Sequence, residues 1–436
     1  MISMPGSLNG LTVLRFAHAF ESGGGTERYL DDLDSALLER NAMTIIRLHL
    51  THKSSASAPT EDFIGQGRLI RVRLPVVPGN DSSTPSDDNS FRSRLKEWVR
   101  DWFLYNPLVW RAVGARRTSA LHLPPYPGQA IGAGLATAEL LHARKIDLVM
   151  LHYFGGADAD EVMSATRKAQ VPFAVLNHYS NDRFLHLSIR KHTMFAHGVA
   201  GVNGLGLPRY VRQGFANLSD GIDTDFFRRD KARPLTDPPA SPVILLPARV
   251  VREKGQLDLV RAVAALRLSG LKCCIAFAGR VDSSSFVDEL RQEISRAGMT
   301  GDVRFLGDLS VEGLRDWYAA STVVAFPTYH HEGLGRVIVE AQAMQTPVVA
   351  YATGGVPEGI VEGQTGFLVP TGDIAGLTGR LRELLTSSSL LTTMGTNGRK
   401  AAETHFSLAA LADRHERFYL QVIADHKKSA GSNTGR

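Results

Sequence analysis

The stretch TVVAFPTYHHEGLGRVIVEAQAM, Thr322 to Met344, changes its hydrophobic pattern twice. Thr322–Pro327 is a continuous apolar run of the kind that forms a strand buried on both faces. Tyr329–Gly335 is a polar loop with two glycines. From Arg336 the apolar residues return at helical spacing. In open α/β sheets a ligand binds just beyond the C-terminal strand ends, so this loop lies where a ligand would sit. Gly333 and Gly335 allow a close backbone approach, and the new helix offers unpaired N–H groups and a positive dipole end suited to phosphate. Two acids frame the segment. Glu332 falls at the rim of the crevice. Glu340 falls on the helix face of Val337, Ala341 and Met344, the core side, where a carboxylate is costly unless something pairs with it. It could accept bonds from the hydroxyls of a ribose. Spacing alone fits equally a capping acid followed by a semi-exposed helix acid. A metalloprotease H-E-x-x-H is excluded because Gly335 stands where the second histidine is needed. His330 and His331 have no third metal ligand close by in sequence.

Working outward, strands and helices alternate on both sides. Toward the C-terminus the sequence predicts strands at Val243–Leu246, Cys273–Ala278, Val303–Phe305 and Pro347–Ala350. Helices are expected after Lys254 and over Ser284–Ala297 and Val311–Ala320. Toward the N-terminus, strands at Leu11–Phe16, Thr44–Leu50, Asp147–His152 and Pro172–Asn177 enclose helices at Glu27–Glu39 and Asp158–Lys168. Such alternation means parallel sheets covered by helices. The charged, proline-rich Arg228–Pro242 reads as an interdomain linker. The polar residues 51–90 read as a long loop. The predicted fold is therefore α/β with two Rossmann-like domains, residues 1–230 (with an excursion over about 51–125) and 240–405. A helix over 406–427 would cross back to the first domain, and 428–436 would form a flexible tail.

Other stretches at strand ends could carry chemistry. In LLPARVVREKG, Arg249 and Lys254 could neutralise a diphosphate leaving group, although exposed basic residues are more often solvated surface. TGGVPEGI and ESGGGTERYL each place glycines after a strand, Gly354 and Gly355 in one and Gly25 in the other. In VLNHYSND, His178 follows an apolar strand as a candidate acid/base or hydrogen-bonding group, a position more often structural.

Taken in this order, the stretches resemble the retaining glycosyltransferases of family 4, which have the GT-B fold. The family's acid–seven residues–acid pattern matches Glu332 to Glu340, with Gly333-Leu334-Gly335 after the first acid. Its basic pair matches Arg249 and Lys254, its GGxPE turn matches Gly354 to Glu358, and its N-terminal glycine step matches Gly24 to Arg28. An NGVD step stands here as Asp220 to Asp223. The resemblance implies that Glu340 binds the donor ribose and Glu332 faces the transferred sugar. It further implies that Arg249 and Lys254 hold the diphosphate, Gly25 offers its amide to phosphate, and His178 sits near the reacting sugar. Gly333, Leu334, Gly335, Gly354 and Gly355 would line the donor site. No metal and no further cofactor are expected; the donor is a nucleotide diphosphate sugar. The expected activity is transfer of a hexose to a saccharide or lipid-linked acceptor in polysaccharide or glycolipid biosynthesis. A disaccharide phosphorylase or synthase of the same fold, or a silent sugar-nucleotide-binding subunit, are the alternatives. Ala248 departs from the pattern, where a glycine usually precedes the arginine, as does the missing acid beside His178.

Bulk composition narrows the setting. No signal peptide or bilayer-length apolar run is read from the sequence, so a cytoplasmic location is expected. Cys273 and Cys274 are adjacent and would point to opposite faces of a strand, as spectator thiols. The formal net charge of +5 is matched by one segment, Phe91–Arg117, with seven basic residues and two acids. That concentration argues against a nucleic-acid-binding face. Phe91, Leu95, Trp98, Val99, Trp102 and Phe103 follow helical spacing there. A basic amphipathic helix of this kind either packs on the domain core or contacts the inner face of the plasma membrane.

Overall fold

The computed structural model describes residues 7–20, 25–51, 59–75, 132–152, 157–178, 195–204 and 215–433. The segment 91–117 lies outside these residues, so neither reading of it is addressed. Two α/β domains are present, each built on its own sheet.

The N-terminal domain contains β1 (Thr12–Phe20), α1 (Gly25–Arg40), β2 (Thr44–Thr51), β3 (Thr60–Ile64), β4 (Gly67–Pro75), α2 (Ala133–Ala143), β5 (Leu148–His152), α3 (Ala157–Lys168), β6 (Phe173–Asn177), β7 (Gly198–Gly201) and β8 (Phe215–Asn217). The strand order is β3-β4-β2-β1-β5-β6-β7-β8. Every pairing is parallel except that of β3 with β4. The hairpin β3–β4 corrects the expectation of a loop over 51–90. From Ile70 to Leu74 apolar residues alternate with arginines: Ile70, Val72 and Leu74 pack in one apolar cluster, while the other face carries Arg71 and Arg73 beyond the buried Leu69. That alternation is a strand period, hidden by the polar residues on either side.

The C-terminal domain contains β9 (Val243–Pro247), α4 (Gln256–Leu268), β10 (Cys274–Ala278), α5 (Ser284–Arg296), β11 (Val303–Gly307), α6 (Val311–Ala320), β12 (Val323–Phe326), α7 (Arg336–Ala343), β13 (Val348–Tyr351), β14 (Gly366–Val369), α8 (Ile374–Thr386) and α9 (Ser388–His405). Its six strands run in the order β11-β10-β9-β12-β13-β14, all parallel. This is the doubly wound order, with its topological switch between β9 and β12. β9, β12 and β13 are buried at every residue, since helices cover both faces. Ser283, Ser310, Asp373 and Ser387 cap helices by accepting from a backbone N–H three residues on, which satisfies donors the helix itself cannot.

The expected linker is no free tether. Arg229 Nε donates to the Met344 carbonyl at 3.2 Å, and Arg233 N donates to Asp316 at 3.0 Å. The segment therefore lies along the C-terminal domain. The last helix, α10 (Leu408–Asn433), is longer than expected, and 428–433 belong to it rather than to a tail. It does return to the N-terminal domain. Leu411, Ala412, Phe418, Tyr419, Val422 and Ile423 join one of that domain's two apolar clusters. Beneath them is a buried polar seam. Arg15 on β1 is fully buried and paired with Asp34 on α1. Its Nη2 donates to Tyr419 Oη at 3.0 Å, and His415 Nε2 lies 2.7 Å from Tyr29 Oη. A buried guanidinium is tolerable only with such partners, so α10 completes the domain.

A Cβ at Gly198 on β7 would run into Val422 and come within 3.0 Å of Phe418 on α10. Gly198→Leu is expected to lower stability by about 1–3 kcal/mol through overpacking, read as a lower urea midpoint. An unchanged midpoint would show that α10 does not pack on β7.

Candidate active site

Two loops meet at the switch point of the C-terminal sheet. The first follows β9 and carries Arg249 and a short 3-10 turn, Arg252–Lys254, before α4. The second follows β12 and carries Tyr329 to Gly335. Gly255 lets them touch: its φ is 74°, and a Cβ there would strike the Pro327 carbonyl. The contact is fixed by further bonds. Tyr329 N donates to the Glu253 carbonyl at 2.8 Å, and Thr328 Oγ1 to the same oxygen at 3.3 Å. The hydroxyls of Tyr329 and Tyr351 both donate to Asp258 Oδ2 on α4, at 2.6 and 2.8 Å. The bond to Asp258, helped by burial, pushes the Tyr329 phenol up to about 12.

The consequence is an ion pair between Lys254 Nζ and Glu332 Oε1. Both side chains are largely buried, 11% and 21% exposed. The structure thus brings together two of the residues singled out in the sequence. Arg249 is not part of that contact. It is half exposed and held by Asp282 at 2.6 Å, with Glu253 at 3.7 Å.

The glycine turn after β13 packs directly behind Glu332. Gly355 N donates to the Glu332 carbonyl at 2.8 Å, and a Cβ on Gly355 would collide with the Gly333 carbonyl. Gly354 has a φ of 53°. Gly335 caps α7 with a φ of 81°, and Leu334 is buried. Gly333 faces the other domain: a Cβ there would lie 3.0 Å from Val202 and 3.2 Å from the His178 carbonyl.

Glu340 is buried on α7, 2% exposed. Its Oε2 accepts from the Tyr318 hydroxyl at 2.9 Å. Its Oε1 accepts no hydrogen bond among the described residues, with Arg28 and Arg336 at 3.6 and 3.7 Å. Arg336 reaches across to the N-terminal half, donating to Asp32 at 2.6 Å and Asp220 at 2.9 Å. Glu358 makes a second bridge, accepting from Gly204 N at 2.6 Å and Asn217 Nδ2 at 2.8 Å. A third joins Asn203 Nδ2 to the Gly333 carbonyl at 2.9 Å.

On the N-terminal side, Gly25 is the first residue of α1, at the C-terminal end of β1. His178 follows β6. Its Nε2 lies 3.2 Å from Nδ1 of His152, the last residue of β5. The Tyr29 ring meets His178 edge-on, with centroids 4.9 Å apart. Arg336, Asp258, Tyr329 and His152 were not singled out as site residues from sequence. His152 left a trace: the sequence has the same His-Tyr step at 152–153 and 178–179, and His152 ends β5 while His178 follows the neighbouring β6.

Two facing parallel α/β sheets, with basic and acidic residues gathered at the strand ends between them, define the GT-B class. Residues 227–401 match the family described as Glycosyl transferases group 1. Over 177 residues, 41% of this chain and 45% of the relative, it is 29% identical to the capsular polysaccharide biosynthesis glycosyltransferase CapM of Staphylococcus aureus. Over 212 residues, 44% of this chain and 55% of the relative, it is 31% identical to the GDP-mannose-dependent alpha-(1-6)-phosphatidylinositol monomannoside mannosyltransferase of Mycolicibacterium smegmatis. The chain spans about half the length of these curated relatives. The crystal structure of a glycosyltransferase from Rickettsia africae ESF-5 covers 95% of this chain and 99% of its own, with a TM-score of 0.67 at 18% identity. That likeness is one of fold.

The histidines give a pH prediction. Burial, reinforced by Arg15, pushes His178 down to about 4 and holds His152 and His415 well below the usual 6.5. The unfolded chain therefore takes up these protons first. The stability tied to the neutral rings is present above the unfolded value and is lost as pH falls below it toward the folded values. Urea midpoints should drop between about pH 7.5 and about pH 5.5, above the ordinary carboxylate range, and less steeply in His415→Gln. Parallel slopes in the two proteins would mean that His415 protonates freely when folded.

Proposed function

We propose that the chain is a retaining glycosyltransferase moving a hexose from a nucleotide diphosphate sugar to a saccharide or lipid-linked acceptor, in polysaccharide or glycolipid biosynthesis. The observation that carries this reading is the Lys254–Glu332 pair at the sheet's switch point. Breaking a sugar–diphosphate bond is limited by the charge that gathers on the leaving group, and preorganised cations and N–H donors answer that need. A diphosphate competes with Glu332 for the Lys254 ammonium. When it takes that ammonium, the carboxylate is released to face the sugar. Arg249, half exposed beside the same strand end, is the second available cation.

The remaining roles follow the same logic. The N-terminus of α7 at Arg336 and that of α1 at Gly25 supply backbone donors and positive dipole ends to phosphate. Gly354 and Gly355 keep side chains out of its way. Glu340 Oε1 is the oxygen left for a ribose hydroxyl, since Tyr318 occupies Oε2. His178 lies across the seam from Gly333, close to where the sugar would be. In this scheme no metal ion is needed, because Lys254, Arg249 and the two helix ends meet the charge.

The acceptor class is supported by the relatives, whose names specify capsular polysaccharide biosynthesis in one and a phosphatidylinositol monomannoside in the other. Residues 91–117 are proposed, on their sequence pattern alone, as a peripheral contact that keeps a cytoplasmic enzyme at the inner face of the membrane. Partners of nucleic-acid type are not part of the reading.

The test is a screen for nucleotide diphosphate release from UDP- and GDP-sugars, with and without saccharide and lipid-linked acceptors. The anomeric configuration of the product is read by proton NMR. Glu332→Ala and Lys254→Ala are each expected to lower turnover at least ~100-fold, the scale of losing a preorganised charge-stabilising group. Near-wild-type rates in both variants would overturn the site assignment, and an inverted product would overturn retention.

A further inference from the structure

His152 lies at the end of β5, is fully buried, and has no place in the scheme above. Its Nδ1 is 3.2 Å from Nε2 of His178. Its Nε2 is buried without a hydrogen-bond partner among the described residues. Two neutral imidazoles this close share one proton, and two patterns are possible. If His178 donates, the proton of His152 must sit on Nε2, leaving a buried N–H with no acceptor among the described residues. If His152 donates, its Nε2 carries only a lone pair.

The surroundings favour the second pattern. Arg15 and His152 project from the same face of adjacent strands, since Arg15 pairs with Met150 and Ala17 with His152 in the β1–β5 register. The Arg15 guanidinium is fixed by Asp34 and Tyr419, and its Nε also lacks a partner among the described residues. A fixed positive charge close enough to act on the His152 ring favours a lone pair at Nε2 over an N–H. The ring of His178 cannot turn freely to escape the pattern, because Tyr29 packs edge-on against it and is itself tied to His415 on α10.

We propose that His152 is a positioning residue that donates from Nδ1 to His178 Nε2 and so fixes the proton of His178 on Nδ1. His178 then serves transfer as a hydrogen-bond donor to a sugar oxygen, rather than as a proton acceptor. This last step rests on the glycosyltransferase reading; the tautomer does not.

The test separates the two. In full-length protein labelled with 15N-histidine, long-range 15N–1H correlation reads the tautomer of each ring without substrate. The His178 signal is identified by its loss in His178→Asn. His178 is expected to be protonated at Nδ1 in the wild type and to shift toward Nε2 in His152→Phe. In His152→Asn the side-chain N–H stands in for Nδ1–H, so the Nδ1 tautomer should return. An Nε2-protonated His178 in the wild type would overturn the assignment, even if the chain transfers no sugar. In turnover, His152→Phe is expected to lose about 10- to 100-fold in kcat, the scale of one hydrogen bond to a group that gathers charge. Donor KM should be unchanged, and His152→Asn should recover most of the loss. Equal loss in both variants, with the tautomer as expected, would overturn the donor role of His178.

Discussion

The arrangement of the site depends on one close approach, that of Gly255 to the carbonyl of Pro327. Any side chain at 255 would push the β9 and β12 loops apart and would also have to adopt a left-handed backbone. With the loops in contact, Asp258 can gather two tyrosines, Tyr329 can bond to Glu253, and Lys254 can reach Glu332. The strand order explains why these two loops are the pair that meet. β9 and β12 are neighbours on opposite sides of the point where the winding reverses, so their following helices depart to opposite faces and leave a crevice.

Behind that crevice the two domains are joined by residues of the same motifs. Arg336 starts the helix that carries Glu340, and its guanidinium ends on Asp32 and Asp220. Burial raises both of those carboxyls while Arg336 opposes the rise, as expected when charges leave water together. Glu358 belongs to the glycine turn packed behind Glu332, and it accepts two bonds from the N-terminal side. The segments that would surround a donor are therefore also the ones through which the two halves hold each other.

Most of the fold was legible because parallel strands buried on both faces leave long apolar runs, and the doubly wound domain has many of them. The β3–β4 hairpin was hidden because an edge element keeps one polar face, and serines and prolines flank it. The site was legible where its chemistry lies within one loop, as for Glu332, Gly333 and Glu340. Tyr329 and Asp258 are far apart in sequence and meet only through tertiary packing, so no local spacing announces them. Arg249 shows a contact of the same hidden kind. A basic residue at a strand end reads as a ligand for phosphate, yet its nearest partner in the fold is Asp282. The repeated His-Tyr step at Tyr153 and Tyr179 was readable, but its meaning depends on β5 and β6 being adjacent.

The return of α10 has a consequence for how the chain is made. Residues 243–405 form a contiguous domain that can close as soon as it leaves the ribosome. The N-terminal sheet is synthesised first, but Arg15 and Tyr29 lack Tyr419 and His415 until the last helix emerges. In domains that fold as units during synthesis, the earlier half here must wait for the later one. The N-terminal domain, though translated before α10, gains its full set of buried partners only after α10 has emerged.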